Sequence, residues 1–309
     1  VLTYLIRKGT AFLISLLAIA SLTFFLMKMV PGDPFSEEQA LRHDMHEALR
    51  QQYGFHRPWY IQYSNYLTNL SQGKFGYSFK YPDRTVNSII QEGFTISAWL
   101  GLQAFLIALG CGICLGTLAA LKPQHWHSHI IFVLSTVGIA IPSFILAALL
   151  QYTLAIYFPI FPLARWGTFT QTILPSLALA AAPMAFITRL TRTSLLEVLQ
   201  TDYIKLARAK GLPLTFWLWR HALRNALLPV LSYLGPLLAN ILVGSFVIEK
   251  IFSIPGLGQW FVNSVGHRDY PLIMGLTLFY SVILLGAVFL VDLIYGFWDS
   301  RIRLIVKEI

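Results

Sequence analysis

Three sets of side chains in this sequence have types and spacings that suggest chemistry. Cys111 and Cys114 stand in "CGIC", the C-x-x-C spacing of thiol redox and metal sites. His125, His127 and His129 alternate through "HWHSH", and imidazoles are common metal ligands. Glu249 and Asp292 are acids inside long apolar runs. Each set lacks what its chemistry needs. The cysteines lie deep in the run from Ala98 to Leu121 with no βαβ pattern and no second ligand pair. A thiolate is poorly solvated there, so they read as small buried residues. Alternate histidines converge only on an extended strand, and no fourth ligand is near, so an interfacial loop is the simpler reading. A proton-coupled carrier buries several acids at mid-membrane, whereas Glu249 falls near the outer end of its run and Asp292 near the inner end of the last one. Asp292 reads as a helix-packing residue. There is no G-x-x-x-x-G-K-[ST] loop, and "GLG" at Gly256 to Gly258 is too short for a nucleotide fingerprint and reads as a turn. The residues predict no catalytic centre, no metal site and no cofactor held by this chain.

The elements that must position these residues are membrane spans. The 309-residue chain is 56% hydrophobic and 12% charged, where soluble domains carry about 25% charged residues. Its mean hydropathy is +0.62. Six apolar runs follow one another: Ala11 to Val30, Thr95 to Leu121, Ile130 to Phe158 interrupted by Pro142, Ile173 to Thr188 with Pro175 and Pro183, Leu227 to Ile251, and Leu272 to Trp298. All but the fourth reach the roughly 20 residues that cross a bilayer. The first has a basic start but no small-residue cleavage site, and reads as an anchor rather than a signal peptide.

Lysine and arginine set the orientation. Arg7, Lys8, Lys122, the cluster from Arg189 to Arg224, and Arg301, Arg303 and Lys307 fall on one side, against only Arg165, Lys250 and Arg268 in the short opposite loops. Both termini are therefore expected in the cytoplasm. The net charge of +9 follows from this topology, and the basic residues form no stripe with stacking aromatics, so no nucleic-acid partner is expected. Residues 31–93 are then an extracytoplasmic segment, rich in aromatic and turn residues. Tyr60, Tyr63 and Leu67 recur there at helical spacing, which predicts one amphipathic helix.

One cytoplasmic stretch is unlike the rest: "DYIKLARAKGLPLTFWLWRHALRNALLP", from Asp202 to Pro229. Thr201 or Asp202 can cap a helix over Tyr203 to Lys210. Gly211 suits the left-handed position that ends it, and Pro213 prevents continuation. A second helix from Leu214, carrying Trp217, Trp219, Arg220 and Arg224, leads back to the membrane. Ala207 and Gly211 lie four apart, where absent side chains let another backbone approach. Two readings stay open on the residues alone: a solvated basic loop that obeys charge topology, and a knob that docks on a cytoplasmic protein.

"ARAKGL" followed by "HALRNALLP" resembles the EAA loop of ATP-binding-cassette importer permeases in the peptide/nickel branch. The general motif is Glu-Ala-Ala, three residues, then Gly; here Lys205, Leu206 and Ala207 precede Gly211. The basic residue in place of glutamate and the long stretch from Gly211 to Pro229 are similar to that branch. "MVPGDP", "IPSF", "IFSIPGLGQ", "RDYP" and "VDLIYGFWDSRIR" match the same family in order. "GKFGYSFKYPDRTVN" and "LLPVLSYLGP" look closest to the B-type subunit of oligopeptide importers.

The resemblance implies an all-α membrane protein with six transmembrane helices, in the MetI-like type I ABC importer permease fold. Residues 1–30 would be the first helix, 31–93 the external segment, 94–298 the permease domain with its EAA loop at about 189–226, and 299–309 a cytoplasmic tail. Tyr203, Ile204, Lys205, Leu206, Ala207, Arg208, Ala209, Lys210, Gly211 and Leu212 would form the coupling helix, which docks in a cleft of an ATPase subunit. Ala207 and Gly211 would enable that close approach. The substrate path would run between this subunit and a partner, lined by Gln151, Ser232, Asn240 and Ser245. Implied partners are a second homologous permease, two cytoplasmic ABC ATPases that bind ATP and Mg, an extracytoplasmic peptide-binding protein, the peptide and membrane lipid. The implied location is the cytoplasmic (inner) membrane of a bacterium. Dipeptides, nickel or glutathione are alternative cargoes, and a self-sufficient secondary transporter is the reading from another class.

Overall fold

The computed structural model describes residues 2–30, 57–81, 83–242 and 244–298, with residues 2–5, 292 and 294–298 described by backbone alone. The "PGDP" stretch, the Asp292 side chain and residues 299–309 lie outside the described residues. Among the described residues all regular structure is helical, and the single β-bridge, Tyr77 with Thr85, starts no sheet. Five helical stretches are long and apolar enough to cross a bilayer, and a bent pair makes a sixth candidate. The elements are α1 (Leu2–Met29), α2 (Trp59–Ser71), α3 (Val86–Leu121), α4 (Trp126–Ala140), α5 (Ser143–Leu150), α6 (Phe169–Leu199), α7 (Asp202–Ala209), α8 (Leu214–Trp217), α9 (Leu223–Ala226), α10 (Leu228–Leu242), α11 (Phe246–Ile251), α12 (Leu257–Gly266) and α13 (Tyr270–Trp298).

Several boundaries depart from the sequence expectation. Helix α3 begins at Val86, well before Thr95, because Val86, Ile89 and Ile90 form a buried face that extends the helix toward its N-terminus. Its 36 residues run about 54 Å at 1.5 Å each, against a hydrocarbon core of about 30 Å. The fourth run is not short. Helix α6 spans 31 residues and passes straight through Pro175 and Pro183. The third run is not a straight span. Pro142 pushes Ile141 into extended backbone (φ −79°, ψ 122°), and the halves on either side are bent by 108°. The fifth run is broken before α11, where Gly244 takes φ 92°. "GLG" is no simple turn either, since Gly256 caps α12.

Two compact units emerge, Val1–Thr95 with Gly256–Ile283, and Ile96–Pro255 with Leu284–Ile309. In the first, α2 lies along the C-terminal half of α1. Tyr63 and Tyr66 pack on Phe24 with ring centroids 5.3 and 5.6 Å away, and the Ser21 and Tyr63 hydroxyls are 2.6 Å apart. Tyr60, expected on this face, is exposed, and Tyr66 takes the inward position instead. Burial, with a contribution from Tyr63, pushes the Tyr66 phenol above its ordinary value. Asp269, buried at the start of α13, accepts hydrogen bonds from the Ser78 hydroxyl, from Phe79 N at 3.1 Å and from Leu272 N at 3.3 Å.

The second unit is organised by small residues on one face of α3. Gly101, Ala104, Ala108, Gly112, Gly116 and Ala119 recur every three or four positions and are all buried. Without side chains there, α6 and α10 come close. A Cβ on Gly112 would lie 2.8 Å from Ile187 Cγ2, and one on Gly101 would lie 2.5 Å from the Ile241 carbonyl oxygen. Cys111 and Cys114 are not buried residues, because they sit off this packed face and are exposed, unpaired thiols. His125 caps α4, while His127 and His129 lie in its first turn, so their rings do not alternate along extended chain.

Candidate coupling surface

The segment after α6 folds as helix, turn and return. Thr201 occupies the N-cap of α7, but its hydroxyl donates back to the Val198 carbonyl at 2.6 Å and caps nothing. Asp202 instead accepts from Lys205 Nζ at 2.9 Å, and that hydrogen bond holds its carboxyl below the usual carboxylate value. Gly211 takes φ 73°, the left-handed conformation that glycine adopts without steric penalty. Its N–H donates to the Arg208 carbonyl at 3.0 Å, and Leu212 N donates to the Ala207 carbonyl at 3.3 Å. These two bonds make a Schellman motif, which satisfies the last carbonyls of α7. Pro213 then starts the return, which runs through α8, a π-helical turn Leu218–Ala222, and α9.

The turn holds its shape through a core of its own. Ile204 and Ala207 of α7 are buried with Trp217, Leu218, Ala222, Leu223 and Ala226 of the return, and with Leu195 of α6 and Ala120 of α3. The Arg208 guanidinium lies 4.5 Å from the Trp217 ring centroid, a cation–π contact. Asn225 Nδ2 donates to the Tyr203 hydroxyl at 2.9 Å. This corrects the expectation for Ala207, which faces inward and admits the chain's own return segment. At Gly211 nothing of this chain lies within 4 Å of where a Cβ would be, so that position stays open. The outward face of α7 carries Tyr203, Lys205, Leu206, Ala209 and Lys210, and beside it Leu214, Phe216 and Trp219 are exposed. The result is a projection with a packed interior and an apolar, basic tip.

The residues expected along a substrate path divide. Ser232 and Asn240 share the exposed face of α10 with Pro236 between them, spaced at four and eight residues, about 12 Å from end to end. The opposite face of α10, with Leu237 and Ile241, is packed. Gln151 is not with them. Its amide donates to the Leu163 carbonyl at 2.7 Å and to the Ile251 carbonyl at 3.4 Å, holding a loop. Ser245 is half-buried as the cap of α11, and its carbonyl accepts from Glu249 N at 2.8 Å. Glu249 is fully buried, with Ser97 Oγ donating to its Oε1 at 2.7 Å. A Cβ on Gly244 would lie 2.1 Å from that oxygen, so only glycine leaves it room.

The profile of the family described as "Binding-protein-dependent transport system inner membrane component" matches residues 112–304, and that of its N-terminal part, "Binding-prot-dependent transport system membrane comp, N-term", matches residues 1–98. The chain belongs to this family. It is a multi-pass protein of the bacterial inner membrane, and a transport component rather than a catalytic enzyme. Among its relatives, the dipeptide transport system permease protein DppB of Bacillus subtilis is 47% identical over 97% of this chain and 98% of its own length. DppB of Lactococcus lactis is 40% identical over 97% and 99%. The oligopeptide transport system permease protein OppB of Salmonella typhimurium is 40% identical over 98% and 99%. Family members work with a binding protein, as the family's description states.

Proposed function

We propose that this chain is the channel-forming permease subunit of an ATP-driven importer of short peptides, and that α7 with its Schellman turn is the element through which ATPase motion reaches the membrane. The observation that carries this reading is the projection itself. Its tip is apolar and basic, its interior is packed by the chain's own return segment, and it is continuous with α6 and α10, so a force on the tip moves long helices rather than a loop. End-to-end similarity to dipeptide and oligopeptide permeases supports the cargo class. In this reading six spans cross the membrane, the bent α4–α5 pair counting as one, and both termini are cytoplasmic. The chain holds no cofactor. ATP and Mg belong to two partner ATPases, a second homologous permease completes the path, and an extracytoplasmic binding protein delivers the peptide. The exposed Ser232–Asn240 face of α10 lines that path, binding varied peptides weakly through scattered hydrogen bonds.

The test is a tagged pull-down from native membranes in mild detergent, with partners identified by mass spectrometry, alongside peptide uptake. Leu206→Glu places a charge on the exposed tip without disturbing the core. It should lose the ATPases and uptake while retaining the second permease. Retention of the ATPases and normal uptake by this variant would sink the coupling assignment. Uptake driven by an ion gradient, by the chain alone, would sink the importer reading.

A further inference from the structure

Away from the coupling surface and the α10 face, two arginines share one aromatic ring. Arg189 and Arg192 stand three apart on α6, and their guanidinium carbons lie 5.7 and 5.3 Å from the ring centroid of Phe132 on α4. The two helices are locked together nearby, where the Cβ position of Gly138 is 3.1 Å from Ala185 Cβ. The arginine stems are thus fixed along the flank of α4. Among the described residues neither guanidinium has a carboxylate partner or a hydrogen bond, and Arg192 Nε is buried with no acceptor at all. Two like charges held against one ring, with a buried donor unmet, form a cradle for an anion.

Depth decides which anion. The apolar run within α6, from Ile173 to Thr188, ends immediately before Arg189, where apolar side chains give way to charge. The pair therefore sits at headgroup level. Trp126, exposed at the start of α4, marks the same interface. Val133, Leu134 and Val137 run inward from it along exposed α4, where acyl chains can lie.

We infer that Arg189, Arg192 and Phe132 form a binding site for the phosphate headgroup of an anionic phospholipid. Each guanidinium fork can clasp phosphate oxygens, the Phe132 ring fixes both forks, and the lipid tails cover the neighbouring apolar face. A free phosphate satisfies the same arginines but leaves that face bare, which is why the lipid is the occupant.

Native mass spectrometry of the purified full chain, equilibrated with mixed phosphatidylglycerol and phosphatidylcholine and then with excess inorganic phosphate, tests this without any transport assay. A failure of the importer reading therefore leaves the result untouched. The wild-type chain should retain phosphatidylglycerol preferentially, and phosphate should not displace it. In R189Q/R192Q the preference should fall by roughly tenfold or more, while R7Q, a charge loss elsewhere, should leave it intact. Should the glutamine pair fail to fold, R189K/R192K keeps stem and charge but loses the planar fork, and should show a weakened preference. Undiminished preference in these variants, no preference in the wild type, or displacement by phosphate would each overturn the site.

Discussion

Asn225 donates a hydrogen bond to the Tyr203 hydroxyl at 2.9 Å, tying the first turn of α7 to the last turn of the return segment. Both side chains are exposed, so the bond adds little to global stability. Its role is local, since it closes the open end of a projection whose other end is already fixed by the Schellman turn. Tyr203→Phe keeps the ring and removes the bond. A hydrogen bond of this kind contributes about 0.5–1.5 kcal/mol, so α7 amides should exchange roughly two- to tenfold faster. Hydrogen exchange read by mass spectrometry checks this, with melting temperature unchanged. Unaltered exchange in α7 would show that the core alone holds the tip.

Gly211 separates two explanations for a glycine in such a turn. Its φ of 73° makes any Cβ costly by about 1–2 kcal/mol, yet a Cβ there meets nothing within 4 Å. Gly211→Ala should therefore destabilise α7 through backbone conformation alone. Gly211→Asn should be milder, because asparagine tolerates the left-handed region. Equal effects of the two substitutions would point to lost packing instead. Gly211→Trp adds bulk at the tip and should abolish coupled uptake while the chain still inserts.

The turn itself was legible in sequence because its causes are local. A glycine two residues before a proline, after a short amphipathic run, specifies helix, left-handed stop and restart. The inward face of Ala207 was not legible, because it depends on Trp217 and Ala222 returning from the other side of the turn. Proline gave mixed signals for the same reason. Pro142 ends a helix where Ile141 can extend, whereas Pro175 and Pro183 sit inside one continuous helix. The spacing of Gly101, Ala104, Ala108, Gly112 and Gly116 does carry the packing face of α3, and it places Cys111 and Cys114 off that face. Ser97 with Glu249, and Ser78 with Asp269, are separated by too much chain for spacing to reveal.

The α3 face supplies a prediction with its own control. A Cβ on Gly116 would stand 2.6 Å from both the Thr188 carbonyl oxygen and Thr191 Cβ, and backbone cannot yield as a side chain can. Gly116→Leu should cost about 1–3 kcal/mol or more by overpacking. Gly110 lies on the same helix with nothing within 4 Å. Gly110→Ala should be neutral, or stabilise by about 0.5–1 kcal/mol through helix propensity. Thermal unfolding in one detergent compares the two. Similar melting points would mean that α3 and α6 do not meet as closely as the glycine stripe requires.

Asp269 makes the sharpest case for a carboxylate serving architecture rather than transport chemistry. It is buried, caps α13 through Leu272 N, and accepts from Ser78 and Phe79 of the loop before α3. Asp269→Ala removes the cap, at about 0.5–2 kcal/mol, and strands a hydroxyl and an amide at about 1–3 kcal/mol each where they stay dry. The loop around residues 72–81 should then become a preferred site for added protease, while α7 remains protected. Ser78→Ala removes one donor and should show a smaller version of the same effect. Asp269→Asn decides what the site needs. An amide oxygen still accepts, so if acceptor geometry matters most, Asn should restore most of the protection. If charge matters most, because the anion also stabilises the N-terminus of α13, Asn should resemble Ala. Protection of the loop in all three variants would mean that Asp269 does not clasp it.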